Sequence, residues 1–249
     1  NGNATDVSGN GYTGIIHGNV SACEDRFGIT GKAYIFDYGN VEIPHWGLNA
    51  PSRTISISVW AKTYSLKQQS LFTLNPDDVS NRMNASIHYS TGNDLFWDYG
   101  DINNGGRLFS TNVGSLNMWE HYVFIATPES LKVYRDGVII SQSAASNGFT
   151  PYDSKLMIGG LDVTPFFGNF FGEVDDFRVY DRELTSSEID SLFSACSTLV
   201  IDTSNVATTI CPGDSIIMGV ECLQCTGSLN YEWCNGAVGN TLRALPDTT

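Results

Sequence analysis

Positive charge is scarce in this chain: 13 lysines and arginines stand against 27 aspartates and glutamates, a net charge of −14 over 249 residues. Such a surface repels phosphate, which excludes nucleic-acid backbones and anionic membranes as partners. No apolar run has membrane-spanning length, so membrane insertion is excluded too. No N-terminal signal peptide is visible, as expected of a chain processed or cut from a longer one. The four histidines (His17, His45, His88, His121) are scattered, and no Ser/His/Asp arrangement appears. Cysteine is absent between Cys23 and Cys196, and Cys211, Cys222, Cys225 and Cys234 then crowd the tail. No histidine accompanies that cluster, so disulfides in an oxidising compartment are favoured over zinc. Cys222-Leu223-Gln224-Cys225 lacks the βαβ context of a thioredoxin-like redox motif. A Cys23–Cys196 bridge would tie the N-terminal region to a late helix and add on the order of 4 kcal/mol. The four tail cysteines then allow three pairings.

What is present is core-forming. Hydrophobic residues make up 41% and aromatics 12% of the chain, enough to exclude disorder. Gly- and Asn/Asp-rich turns separate short alternating segments, the pattern of an all-β, antiparallel β-sandwich. Ile55, Ile57 and Val59 share one face of the segment Thr54 to Trp60, with serines on the other. Trp119 to Ile125 is a second strand. Leu131 to Ile140 is a hairpin, because Asp136-Gly137 supplies the positive φ values of a tight turn. Leu156 to Gly160 and Val174 to Tyr180 complete the strands. Thr185-Ser186-Ser187-Glu188 is a capping box that opens a short helix to about Ala195.

Three blocks of sequence carry a family resemblance. Asn1-Gly2-Asn3-Ala4-Thr5-Asp6-Val7-Ser8-Gly9-Asn10-Gly11-Tyr12-Thr13-Gly14 opens the chain. The strands at Ile55 to Trp60 and Trp119 to Val123, with the Tyr134 to Gly137 turn, follow. Phe170-Phe171-Gly172-Glu173-Val174-Asp175-Asp176-Phe177-Arg178-Val179-Tyr180 runs into the capped helix. Together they resemble the laminin-G-like family of concanavalin-A-like jelly-roll sandwiches, over roughly residues 1 to 195. The resemblance implies a domain at 1–196 whose first strand, normally just before Asn1, is missing, and hence a chain cut from a longer polypeptide.

It also implies calcium as a structural cofactor, held by Asp6 and Asp175, with Asn10, Tyr12 and Asp176 as further ligands. Calcium takes six to eight oxygens, which a Gly-rich loop and carboxylates can supply. Adjacent strand residues face opposite sides, so Asp175 is the expected ligand of that pair.

From Ser197 the composition shifts to Thr/Ser/Ile-rich, cysteine-rich sequence. Ile216 to Val220 alternates, and Leu229 to Trp233 places a strand Trp about a dozen residues beyond a cysteine cluster. Residues 197–249 resemble the first half of an immunoglobulin-like module.

The same sandwich hosts β-glucanases, whose retaining mechanism needs two carboxyl groups about 5 Å apart. Glu173-Val174-Asp175 matches half of their strand motif, but Phe177 or Arg178 stands where the second Glu is required. The chain is therefore expected not to be an enzyme. A sugar site would need exposed aromatics beside Asp and Asn, and Trp46, Trp97 and Tyr99 are the candidates. Asn3, Asn19 and Asn84 head Asn-x-Ser/Thr sequons. The expectation is a non-catalytic adhesion or assembly module of a secreted or cell-surface protein. Its partners would be neighbouring domains, a protein or glycan ligand, or a second copy. A calcium-dependent carbohydrate-binding module is the alternative.

Overall fold

The computed structural model describes residues 4–74, 77–111, 113–144, 148–160 and 168–194, and the backbone of Ile216–Gly219 and Thr241–Ala244. The chain divides into two compact units, Asn1–Phe193 and Ser194–Thr249.

The first unit is all-β. Its strands are β1 (Ile15–Glu24), β2 (Thr30–Ile43), β3 (Ile55–Thr63), β4 (Phe72–Leu74), β5 (Arg82–Tyr89) and β6 (Asp94–Gly100), then β7 (Arg107–Ser110), β8 (Glu120–Ala126), β9 (Ser130–Arg135), β10 (Val138–Ala144), β11 (Leu156–Ile158) and β12 (Phe171–Tyr180). One helix, α1 (Ser186–Ser194), follows. Pairing is antiparallel and runs β10-β9-β8-β3-β12-β2-β11-β4-β5-β6-β7, with β1 added to β2. Short β11 pairs with both β2 and β4, so one hydrogen-bonded path turns over into a second layer.

The inward faces of the two layers share one core. Ile55, Ile57 and Val59 of β3 meet Tyr122 and Phe124 of β8, Phe36 of β2, and Phe72, Met83, Leu95 and Trp97 of β4 to β6. Burying each such side chain contributes about 1.5–3 kcal/mol. The Trp97 indole N–H donates to the Ile125 carbonyl at 2.9 Å and so ties the layers together.

The serine face of β3 is buried as well, because α1 covers it. Ile189 packs with Val123, Ile125 and Leu184, and Phe193 stacks on Trp60 and His121. Ser56 is used at both ends: its hydroxyl donates to the Arg182 carbonyl and accepts from the Leu184 N–H. The capping box forms as the sequence predicts. Thr185 Oγ1 accepts from the Glu188 N–H at 3.3 Å, and Glu188 accepts from the Thr185 N–H at 2.9 Å.

In the second unit Ile216–Gly219 pairs antiparallel with Thr241–Ala244. The remaining features of the immunoglobulin-like expectation, including the Leu229 to Trp233 strand, lie outside the described residues. So do Cys196, Cys211, Cys222, Cys225 and Cys234. Among the described residues Cys23 has no disulfide partner, and as a thiol its pKa is pushed up to about 12 by burial and then by the Glu173 charge.

Candidate functional site

Strand β6 reads Asp94-Leu95-Phe96-Trp97-Asp98-Tyr99-Gly100, and its alternation assigns two faces. Leu95, Trp97 and Tyr99 point into the core. Trp97 is 0% exposed and Tyr99 1%, the Tyr99 hydroxyl donating to the Pro51 carbonyl. Trp46, in a single 3-10 turn, is 5% exposed and also belongs to the core. The three rings expected to form a sugar platform are therefore interior packing, and a buried ring offers no face to a ligand. Trp97 and Tyr99 do share a strand face, but it is the dry one.

The opposite face carries the site. Phe96 lies directly across from Phe109 of β7 with ring centroids 5.0 Å apart. Tyr89, at the end of β5, sets its ring edge-on to Phe96 at 5.2 Å. Phe109 is 51% exposed, and Tyr89 and Phe96 are half-buried. The result is a row of three rings across three strands. Arg107 lies over Phe96, its guanidinium carbon 5.0 Å from the ring centroid.

Beside the rings runs a polar row, Thr73–Asn84–Asp98–Arg107, in direct register across β4 to β7. Asp98 is fully buried and doubly clamped. Arg107 donates to it bidentately at 2.7 and 2.8 Å, and Arg82 reaches its other side at 2.9 Å. Bidentate charge-assisted pairs are strong and fix orientation, so Arg107 is held in place over Phe96. Asn84 Oδ1 is buried without a hydrogen-bond partner. The Asn84 sequon is thus inaccessible to a glycosylating enzyme; Asn19 is exposed in β1, and its side-chain amide donates to Asp37 at 3.0 Å. Asn3 lies outside the described residues.

Tyr89, Phe96, Phe109 and Arg107 are not among the residues the sequence singled out, although a signal for them exists. Asp98 marks the wet face of β6, and parity puts Phe96 on that face.

The expected calcium ligands fall into two separate places. In the loop before β1, Asp6 accepts from the Ser8 N–H at 2.8 Å and the Tyr12 N–H at 3.0 Å. These bonds, led by those from Ser8 and Tyr12, hold its pKa down at about 2. Asn10 is exposed, and Tyr12 packs its ring on the core edge. Gly14 anchors the loop, its N–H donating to the Ala4 carbonyl and its backbone lying against Val41 of β2.

Asp175 sits at the other end of β2, next to Val174, which pairs with Tyr34. Seven residues of strand between Tyr34 and Val41 span roughly 23 Å. Calcium holds its ligands at about 2.3–2.6 Å, so one ion cannot join Asp6 to Asp175. Among the described residues no three His, Cys, Asp or Glu side chains gather into a metal cluster.

A guanidinium takes the place expected of the cation. Arg26 contacts Asp175 at 2.5 Å and Asp176 at 3.1 Å, and it is sandwiched between Phe27 and Trp60 at 4.4 and 4.7 Å. The expectation that Asp175 and Asp176 face apart fails for a local reason. β12 bulges between Asp175 and Arg178, and Asp176 takes a φ of 48°, which brings both carboxylates to one side. Burial and the Asp176 charge outweigh Arg26 and raise Asp175 to about 6. The donor set as folded does not fit a shared calcium ion.

A model of the concanavalin A-like lectin/glucanases superfamily matches residues 37–190. Among solved structures, domain 4 of AbnA, an extracellular GH43 arabinanase from Geobacillus stearothermophilus solved with arabinotriose, is similar. Its TM-score is 0.61 at 21% identity, covering 76% of this chain and 92% of that one. The botulinum neurotoxin serotype G binding domain gives 0.54 at 16% identity, covering 74% of this chain and 47% of that one. The serotype D/C binding domain, solved with rat synaptotagmin II in one case, gives 0.54 at 16% identity with 77% and 50% covered. The chain thus spans about half of each neurotoxin binding domain. No curated protein matches it in sequence.

Proposed function

Because the chain belongs to the concanavalin A-like lectin/glucanase superfamily, we propose that its first unit is a non-catalytic carbohydrate-binding module that reads glycans on the outer face of β5, β6 and β7. The observation that carries this is the Tyr89–Phe96–Phe109 row, flanked by a clamped Arg107. Sugar rings stack on aromatic faces through their C–H surfaces, while fixed polar groups orient the hydroxyls. The row supplies the first element, and Arg107, held in place by the buried Asp98, supplies the second. The arabinanase domain solved with arabinotriose supports the reading by fold.

The absence of catalysis is part of the proposal. Glu173 and Asp175, the pair that a glucanase motif would use, are each committed to structure. Glu173 accepts from Tyr64 and pairs with Lys62 at 3.4 Å, and Asp175 is held by Arg26. Within a longer secreted or cell-surface polypeptide, such a module would tether the protein through the glycan, which is the adhesion role we assign to it.

The test is a broad glycan screen of the wild-type chain and Phe109→Ala, in calcium and in EDTA. Phe109 is exposed, so its truncation spares the fold. Saturable binding that falls at least about tenfold in the variant, alike in both buffers, is expected. Binding that ignores Phe109, or that vanishes in EDTA, contradicts the reading.

A further inference from the structure

The aromatic row does not end at Tyr89. Lys67 pairs with Tyr89 as an isolated bridge, and the Ser90 N–H donates to the Lys67 carbonyl. The lysine ammonium sits over two rings, 4.8 Å from the Tyr38 centroid and 5.2 Å from that of Phe171. Among the described residues no carboxylate pairs with it at ion-pair distance, whereas Lys62, Lys132 and Lys155 each hold one. The acid whose charge it feels, Asp37, is engaged by Asn19.

Tyr38 is unusual in two ways. It is 70% exposed, and its φ is 58°. A bulky residue in the left-handed region is strained, and such outliers cluster at binding sites. The strain has a visible cause: between the Gly18–Gly39 and Val20–Phe36 pairs the register of β1 on β2 shifts, and Tyr38 is thrown outward there.

We propose that Tyr38, Lys67 and Phe171 form a subsite for an acidic sugar, a residue bearing a ring carboxylate such as a uronic acid, continuous with the Tyr89–Phe96–Phe109 row. The proposal rests on the carbohydrate-binding reading and narrows its ligand class. The pyranose ring lies against the exposed Tyr38 face while its carboxylate meets the Lys67 ammonium. Among the described residues this ammonium has no ion-pair partner, and cation–aromatic contacts on two sides hold the lysine in position to receive a carboxylate. The site is selective because its surroundings are hostile. A net charge of −14 repels polyanions everywhere else, so an acidic glycan binds here through one local cation rather than through a diffuse field.

Three carboxylated polysaccharides (polygalacturonate, alginate and hyaluronan) are each titrated against their own carboxyl-esterified forms, with the full chain as wild type, Lys67→Met and Phe109→Ala. Lys67→Met keeps the apolar stem over the rings and removes only the charge, and a thermal melt checks its fold. The expected result is that at least one acid form binds wild type tenfold or more tighter than its ester. Lys67→Met erases that difference and leaves ester binding unchanged, Lys67→Arg retains it, and Phe109→Ala weakens both forms. Ester binding with no preference for the acid, or an acid preference that survives Lys67→Met, overturns the subsite while the carbohydrate reading stands. Silence across all six polymers overturns the subsite, and the carbohydrate reading is then decided by the broad screen of wild type and Phe109→Ala.

Discussion

His121 and Asp175 are buried titratable residues on the α1 side of the β3 layer, and they pull stability in opposite directions with pH. His121 lies between Trp60 and Phe193, its Nε2 sharing a hydrogen bond with Ser58 Oγ at 2.8 Å. Burial first, and the Arg26 charge second, lower its pKa from 6.5 to about 3. The folded protein therefore refuses a proton that the unfolded chain accepts, and stability falls as pH drops from about 6.5 toward 3. Asp175 is the reverse. Raised from 3.8 to about 6, it keeps a proton in the fold that the unfolded chain has lost, so its contribution grows as pH falls from about 6 toward 4. Between pH 6.5 and 5 the His121 effect costs about 1.5–2 kcal/mol, and Asp175 offsets about three-quarters of it. Urea unfolding of wild type should show lower stability at pH 5 than at pH 6.5, and His121→Gln should reverse that slope. A variant slope equal to the wild-type one would show that His121 is not the group concerned. None of this was legible in the sequence. Arg26 and Asp175 are 149 residues apart, and only the folded sheet brings them together.

At the scale of the element, local signals were readable and two-sided burial was not. The Asp136-Gly137 turn carries φ values of 50° and 79°, the mirror-image turn that the dipeptide predicts. Asp136 also takes the His121 N–H on its side chain at 2.8 Å, joining the hairpin to β8. The helix start was equally legible because a capping box is a contact between residues three apart. Thr185→Ala removes the oxygen that accepts from the Glu188 N–H, so it should lower stability by about 1 kcal/mol, with Thr185→Ser restoring most of it. A loss near zero in thermal or chemical unfolding would mean that α1 is held by Ile189 and Phe193 alone. β1, β2, β4, β5 and β7 escaped for different reasons, and β6 was read only as a strand face shared by Trp97 and Tyr99. β1 is largely exposed, and the Gly18 to Val20 shift breaks its alternation. β5 is buried on both faces from Arg82 to His88, so it has no period to read. β6 shows alternation plainly, yet both faces carry aromatics, and the larger rings, Trp97 and Tyr99, went to the core. Size favoured burial there, while Asp98 in its double arginine clamp kept Phe96 on the outer side.

Across the whole molecule, the sandwich and its family follow from repeated short-range patterns, while the ligand face depends on pairings between strands far apart in sequence. The exposed aromatic row joins β5, β6 and β7; the subsite beside it joins the β2 bulge, Lys67 and the start of β12. The calcium expectation belongs to this scale too, since it joins the Asp6 loop and Asp175, which lie toward opposite ends of β2. Among the described residues no helix is long and apolar enough to cross a membrane. The position of the glycan on the outer face of β5, β6 and β7 is what most needs testing. The most direct test is backbone hydrogen exchange of the full chain, free and saturated with a glycan that the screen identifies. Added protection is expected in β6, β7, the Lys67 to Ser90 segment and around Tyr38 and Phe171 beside it, with the Asp6 loop and α1 unchanged. Protection that appears instead on the Asp6 loop, or over α1, would place the glycan elsewhere.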